Sequence, residues 1–104
     1  MARGARTPVA FLIADNIVAT GAIEATGTYD MQVDGNGNYN AIHCATVCTF
    51  PDGTLTLRLD CEFATNYHGV WHVISGTGAY VNLQGNGDLL MDDTGEHLTG
   101  NIYH

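Results

Sequence analysis

Lysine is absent from the chain, and its arginines are Arg3, Arg6 and Arg58. Two of these lie within the first six residues, so the body carries 11 acids against Arg58 alone. Little is left to neutralise phosphate, which argues against nucleic acid and anionic membrane as partners. The formal net charge of −8 serves solubility. Proline occurs only 2 times. The lysine, glutamate and glutamine that usually furnish an exposed helical surface are scarce. No apolar run approaches the ~20 residues of a membrane-spanning helix.

Cysteine is few and odd in number, at Cys44, Cys48 and Cys61. A disulfide framework is not supported, and at most one bridge can form. Buried, reduced thiols in a cytoplasmic protein are the expectation. The segment Met1–Ala14 imitates a signal peptide, with two arginines ahead of about seven apolar residues. It reaches Asp15 at the short limit for such a segment. It reads as a flexible arm over residues 1–8 followed by a first strand, with secretion as the alternative.

What the chain does have is glycine, at 13 positions, and abundant threonine, valine and alanine. At 104 residues it has room for one domain. Residues 54–63 alternate strictly, with Leu55, Leu57, Leu59, Cys61 and Phe63 on one face. The preceding Pro51-Asp52-Gly53-Thr54 reads as a turn. Pairing Phe50 with Leu55 places Cys48, Thr46, Cys44 and Ile42 opposite Leu57, Leu59, Cys61 and Phe63. Both strands then bury their apolar sets on one face, with Cys44 directly across from Cys61.

A looser alternation runs from Gly21 to Val33, with Ile23, Tyr29 and Met31 inward; either Val9–Ala14 or a break near Gly27 supplies a further strand. Further strands are read near 39–50, 69–75, 85–92 and 96–103. The last two are joined by the hairpin signal Asp92-Asp93-Thr94-Gly95. Short strands with turn signals every ~8–12 residues imply a sandwich or a barrel. The expectation is an all-β, up-and-down antiparallel closed barrel of about seven or eight strands. Residues 77–83 form one short helical turn that tucks Tyr80 and Leu83 into an end of the fold.

The segment Gly69-Val-Trp71-His-Val73-Ile-Ser-Gly76-Thr77-Gly78-Ala-Tyr80-Val-Asn-Leu83-Gln-Gly85-Asn-Gly87 resembles one found in allene oxide cyclase-like barrels. That superfamily includes the dirigent proteins. The resemblance implies a small closed barrel with Tyr80 and Leu83 at its base. It does not carry an activity, because the residues that work in cyclases and dirigent proteins lie outside the matched segment.

The facing pattern predicts a lumen lined by Tyr29, Cys44, Thr46, Cys61, Phe63, Trp71 and Met91. Such a lining suits an apolar or amphipathic small molecule, and it equally describes a filled core. Pairing Leu89 with Leu98 sets Glu96 at the barrel mouth beside Met91. A carboxyl half-buried there gains a raised pKa and can move a proton. Glu96 and the phenol of Tyr29 are the candidate catalytic groups, and Glu24 replaces Glu96 if the strand phase is reversed.

Three functional readings follow: a small-molecule binding barrel, a cyclase or isomerase, and a filled barrel that works through its outer face. No cofactor is implied. The five histidines form neither an H-E-x-x-H pattern nor a zinc-finger spacing, so no metal is expected. Asp34-x-Asn36-x-Asn38 opens like a calcium loop but has Tyr39 and Ala45 where glycine and glutamate belong. The cysteines have no cation nearby to stabilise a thiolate and read as inert. With Trp71 inside, Val70, His72 and Ile74 face outward, which implies a homo-dimer or homo-trimer through that face.

Overall fold

The period-two alternation is realised in eight strands, as seen in a computed structural model that describes residues 6–33, 41–62 and 68–103. They are β1 (Thr7–Ile13), β2 (Ile17–Gly21), β3 (Ala25–Val33), β4 (Ala41–Phe50), β5 (Gly53–Glu62), β6 (His68–Gly76), β7 (Gln84–Asp92) and β8 (Gly95–Tyr103). Each strand pairs antiparallel with the next, and β8 returns to β1 to close the barrel. Closure leaves the sheet without a free edge strand. A 3-10 turn at Gly78–Tyr80 is the only helical element among the described residues. The fold is therefore the all-β closed antiparallel barrel that the alternation implies.

Three local expectations are corrected. Residues 7 and 8 belong to the sheet rather than to an arm, because Thr7 pairs with Ile102 and Pro8 with Asn101. The Pro8 carbonyl also accepts the Ala22 amide at 2.9 Å. Just before the strand, the Arg6 guanidinium lies 4.6 Å from the centre of the Tyr103 ring. Next, the chain from Gly21 to Val33 is not one strand. It breaks at residues 22–24 rather than near Gly27, leaving β2 as a short strand of its own. Gly27 is instead a close approach, where a Cβ would stand 2.0 Å from the Thr49 carbonyl oxygen.

The β4–β5 register is shifted by two residues from the expected one. Phe50 pairs with Gly53, so Cys44 lies across from Leu59, and Cys61 across from Ile42. The turn consists of Pro51 and Asp52 alone. The 3-10 segment docks onto it, with the Ala79 amide donating to the Asp52 carbonyl and the Thr77 amide to the Thr54 carbonyl. That docking needs Gly53, because a Cβ there would stand 2.2 Å from the Thr77 carbonyl oxygen.

Alternating residues fill the lumen from the base upward. Tyr80 and Leu83 are buried at the plug, with the Tyr80 ring edge-on to Phe50 at 5.8 Å between centroids. Above them lie Leu55, Leu57, Leu59, Leu89 and Leu98, all essentially inaccessible to solvent. Trp71 crosses the middle, T-stacked on Phe11 at 5.5 Å, and its indole N–H donates to the Thr99 carbonyl at 3.2 Å. A fully buried indole needs such a partner. The lower lumen is thus a packed core, which confines a site inside the lumen to the opposite end.

Candidate functional site

The end of the barrel away from the plug forms an open cup of about 490 Å³. Its walls are Ile13 from β1, Tyr29, Met31 and Val33 from β3, Cys44 from β4, Met91 from β7 and Glu96 from β8. Asp15, Asp92 and Asp93 stand at the rim, and the described lining residues include no arginine or histidine. The volume lies within the range of small-molecule sites.

Glu96 is the chemically distinct member. On β8 it is in register with Met91 on one side and Ile13 on the other. Apolar neighbours therefore flank the carboxyl from both adjacent strands. Burial pushes its pKa up, because the charged form loses solvation. The Cys44 thiol is pushed up as well, first by burial and then by the charge of Glu96. Deeper in the wall, burial takes Cys48 to about 12. Neither thiol forms a thiolate near neutral pH, so neither is an activated nucleophile.

The β7–β8 turn is fixed by its own side chains. The Asp92 carboxylate accepts from the Thr94 amide at 2.8 Å and from the Thr94 hydroxyl at 2.5 Å. His97 Nε2 lies 3.1 Å from the same Asp92 oxygen and 2.8 Å from the Thr94 hydroxyl. The Thr94 hydroxyl and amide hold the Asp92 pKa below its ordinary value. This turn sets where Glu96 leaves the rim and enters the wall. Across the cup, the Tyr29 hydroxyl donates to the Ala14 carbonyl and ties β3 to the β1–β2 turn. Its proton is committed there, which leaves only its lone pairs for a ligand.

Of the residues singled out from sequence, Tyr29, Cys44, Met91 and Glu96 converge on the cup. Thr46, Cys61 and Trp71 do not line it and are buried in the barrel wall. Phe63 lies outside the described residues, as does the Asp34–Asn38 stretch. Glu24 is exposed in the β2–β3 connection, at the plug end. Sequence reasoning missed Ile13 and the rim acids. The signal was available in the topology: in an up-and-down barrel the β1–β2 and β7–β8 turns fall at the same end.

A larger groove of about 1010 Å³ opens at the plug end, where β6 and β7 separate beyond the last ladder pair, His72 and Asn86. Its described lining residues include no carboxylate, so the smaller cup is the candidate site. Among the described residues no cluster of three or more His, Cys, Asp or Glu is placed to hold a metal ion. His43 instead bonds Asp60 through Nδ1, with Arg58 Nε 3.3 Å from the same carboxylate. No protein-family model, curated protein or solved structure matches the chain.

Proposed function

We propose that the protein binds a small amphipathic molecule in the cup, with a neutral or cationic polar head at the acidic end and an apolar body against Met31, Val33 and Met91. The observation that carries this reading is Glu96, held between Met91 and Ile13 in the wall of an open apolar recess. A desolvated carboxyl beside unfilled apolar surface costs stability and gives the barrel nothing structural in return. Asp15 and Asp93 at the rim, with only His97 beside Asp92 as a basic neighbour among the described residues, select against anionic heads.

Titration with 1-octanol and with octanoate, followed by amide NMR shifts at neutral pH, tests this. Octanol is expected to perturb Ile13, Met31, Cys44, Met91 and Glu96. Octanoate binds about tenfold more weakly or worse, because its carboxylate meets like charge. Glu96→Gln narrows that gap several-fold. Shifts scattered away from the cup, or equal affinity for both probes, sink the reading.

Glu96→Gln has a second readout. The folded pKa of Glu96 is raised, so its contribution to stability is present below the unfolded value and is lost as pH rises through the folded one. The variant flattens that part of the melting-temperature profile.

An isomerase or cyclase is the second reading, and the same carboxyl favours it. A glutamate whose pKa is raised by burial is better suited to give a proton as well as take one. In that reading Glu96→Gln still binds but no longer turns over.

The outer wall supports a partner of a different kind. Val70 and Ile74 on β6 are 50% and 52% exposed, and Leu90 on β7 is 48% exposed. An apolar patch of this kind marks a contact surface. We propose that this wall, with His72, packs against a second or third copy of the chain. Light scattering at micromolar concentration is expected to give a multiple of 11.1 kDa. A monodisperse monomer defeats the proposal.

A further inference from the structure

Thr46 is the only described residue with a buried side-chain polar atom that lacks a hydrogen-bond partner. It is inaccessible to solvent, in a core whose other buried residues are hydrophobic. A buried hydroxyl usually bonds a backbone carbonyl or a neighbouring side chain, and one left without a partner destabilises the fold. Valine has nearly the same shape and carries no such cost. An orphaned hydroxyl in a native core therefore calls for a cause other than packing.

Its position supplies one. On β4 the inward residues run Cys44, Thr46, Cys48. Cys44 is in the wall of the cup, so Thr46 lies one inward step beneath it. Directly across on β3, in register with Thr46, is Met31, which also lines the cup. Methionine is unbranched and turns aside at little cost. Met31 is thus a movable side chain that adjoins both the cup and the strand position of the orphaned hydroxyl.

We propose that Thr46 is a binding residue, and that the ligand carries a second, neutral hydrogen-bonding group, a hydroxyl or a carbonyl, at its inner end. This rests on the binding reading given above and extends it. The ligand class becomes an aliphatic molecule polar at both ends: one end meets Glu96 and the acidic rim, and the other reaches past Met31 to the Thr46 hydroxyl. Glu96 sorts the outer group by charge, while Thr46 requires the inner group to donate or accept a hydrogen bond. A buried site built for a hydroxyl discriminates sharply against ligands that lack it.

The test compares 1,8-octanediol with 1-octanol on the wild-type protein, Thr46→Val and Thr46→Ser, by NMR titration and thermal melting. In an apolar recess the second hydroxyl weakens binding, because it is desolvated without a partner. With Thr46 as that partner, the diol binds wild type at least as tightly as octanol. Thr46→Val then weakens the diol about fivefold relative to octanol, while Thr46→Ser restores it. Thr46→Val also melts higher than wild type when no ligand is present, which a hydroxyl kept for structure would not allow.

The inference is overturned, with the binding reading intact, if octanol occupies the cup but the diol binds more weakly and Thr46→Val shifts neither affinity. If neither probe binds, both fall together.

Discussion

Trp71→Ala is expected to destabilise the barrel by about 3–5 kcal/mol, a large share of the ~5–15 kcal/mol that holds a domain of this kind together. The indole is 1% exposed and crosses the lumen between β6 and Phe11. Its removal leaves a void that a closed ring of hydrogen-bonded strands cannot collapse to fill. It also strips the Thr99 carbonyl of the indole N–H. Trp71→Phe keeps most of the ring contact and loses only that donor, so it costs less, about 1–2 kcal/mol. Because Trp71 is the only tryptophan, unfolding in urea is followed by circular dichroism rather than fluorescence. A loss below ~1 kcal/mol for Trp71→Ala would mean that the middle of the lumen is not packed.

Gly87→Ala is expected to be at least as damaging, for the opposite reason. Trp71 pairs with Gly87 across β6–β7, and Gly87 pairs with Gly100 across β7–β8. A Cβ on Gly87 would stand 1.9 Å from the Thr99 carbonyl oxygen, and one on Gly100 would stand 2.1 Å from the Asn86 carbonyl oxygen. Both obstacles are backbone atoms in the middle of a ladder, and Thr99 also accepts the bond from Trp71. Neither strand moves aside without breaking the pairing that closes the barrel. Inserting atoms into a tight core typically costs ~1–3 kcal/mol, and more where the neighbour is backbone. Gly87→Ala is therefore expected to leave little folded protein at 37 °C. Asn86→Ala, exposed one residue earlier, stays within ~0.5 kcal/mol of wild type. A Gly87→Ala protein with a wild-type urea midpoint would contradict the close approach.

The limits of reading this chain from sequence have physical causes, and the β4–β5 hairpin shows one. Alternation assigned Leu55, Leu57, Leu59, Cys44, Thr46 and Cys48 to the inner face, where they lie. It could not choose between registers two residues apart, because a shift of two keeps every side chain on its face. The docked 3-10 segment presses on Gly53, and Gly53 then pairs with Phe50 instead of extending the turn. That force comes from residues about 25 positions downstream and leaves no trace in the local pattern. The short β2 was missed for another reason. Five residues, Ile17–Gly21, carry too little periodicity to separate from their surroundings.

The site was legible in part. Pairing Leu89 with Leu98 placed Glu96 beside Met91, and the observed register agrees. The depth of the cup was not legible, because it depends on how completely Trp71 and the leucines occupy the volume beneath. Volume is a property of the closed barrel and not of any strand. The orphaned Thr46 hydroxyl was hidden for the same reason. Its place on the inner face could be read from alternation, but its lack of a partner shows only when every neighbour is in position.

Closure of the ring between β1 and β8 constrains how the protein is made. Thr7 finds its partner at Ile102 and Ile13 finds its partner at Glu96, nearly the whole chain later. During synthesis β1 emerges first and waits for the last strand, with one side of its backbone unbonded. Phe11 waits as well, since Trp71 is made some 60 residues after it. Such long-range pairing is slow and exposes strand edges that invite association with other chains. The nascent barrel is thus most vulnerable just before its end is made, when seven of its strands exist and the seam still lacks β8.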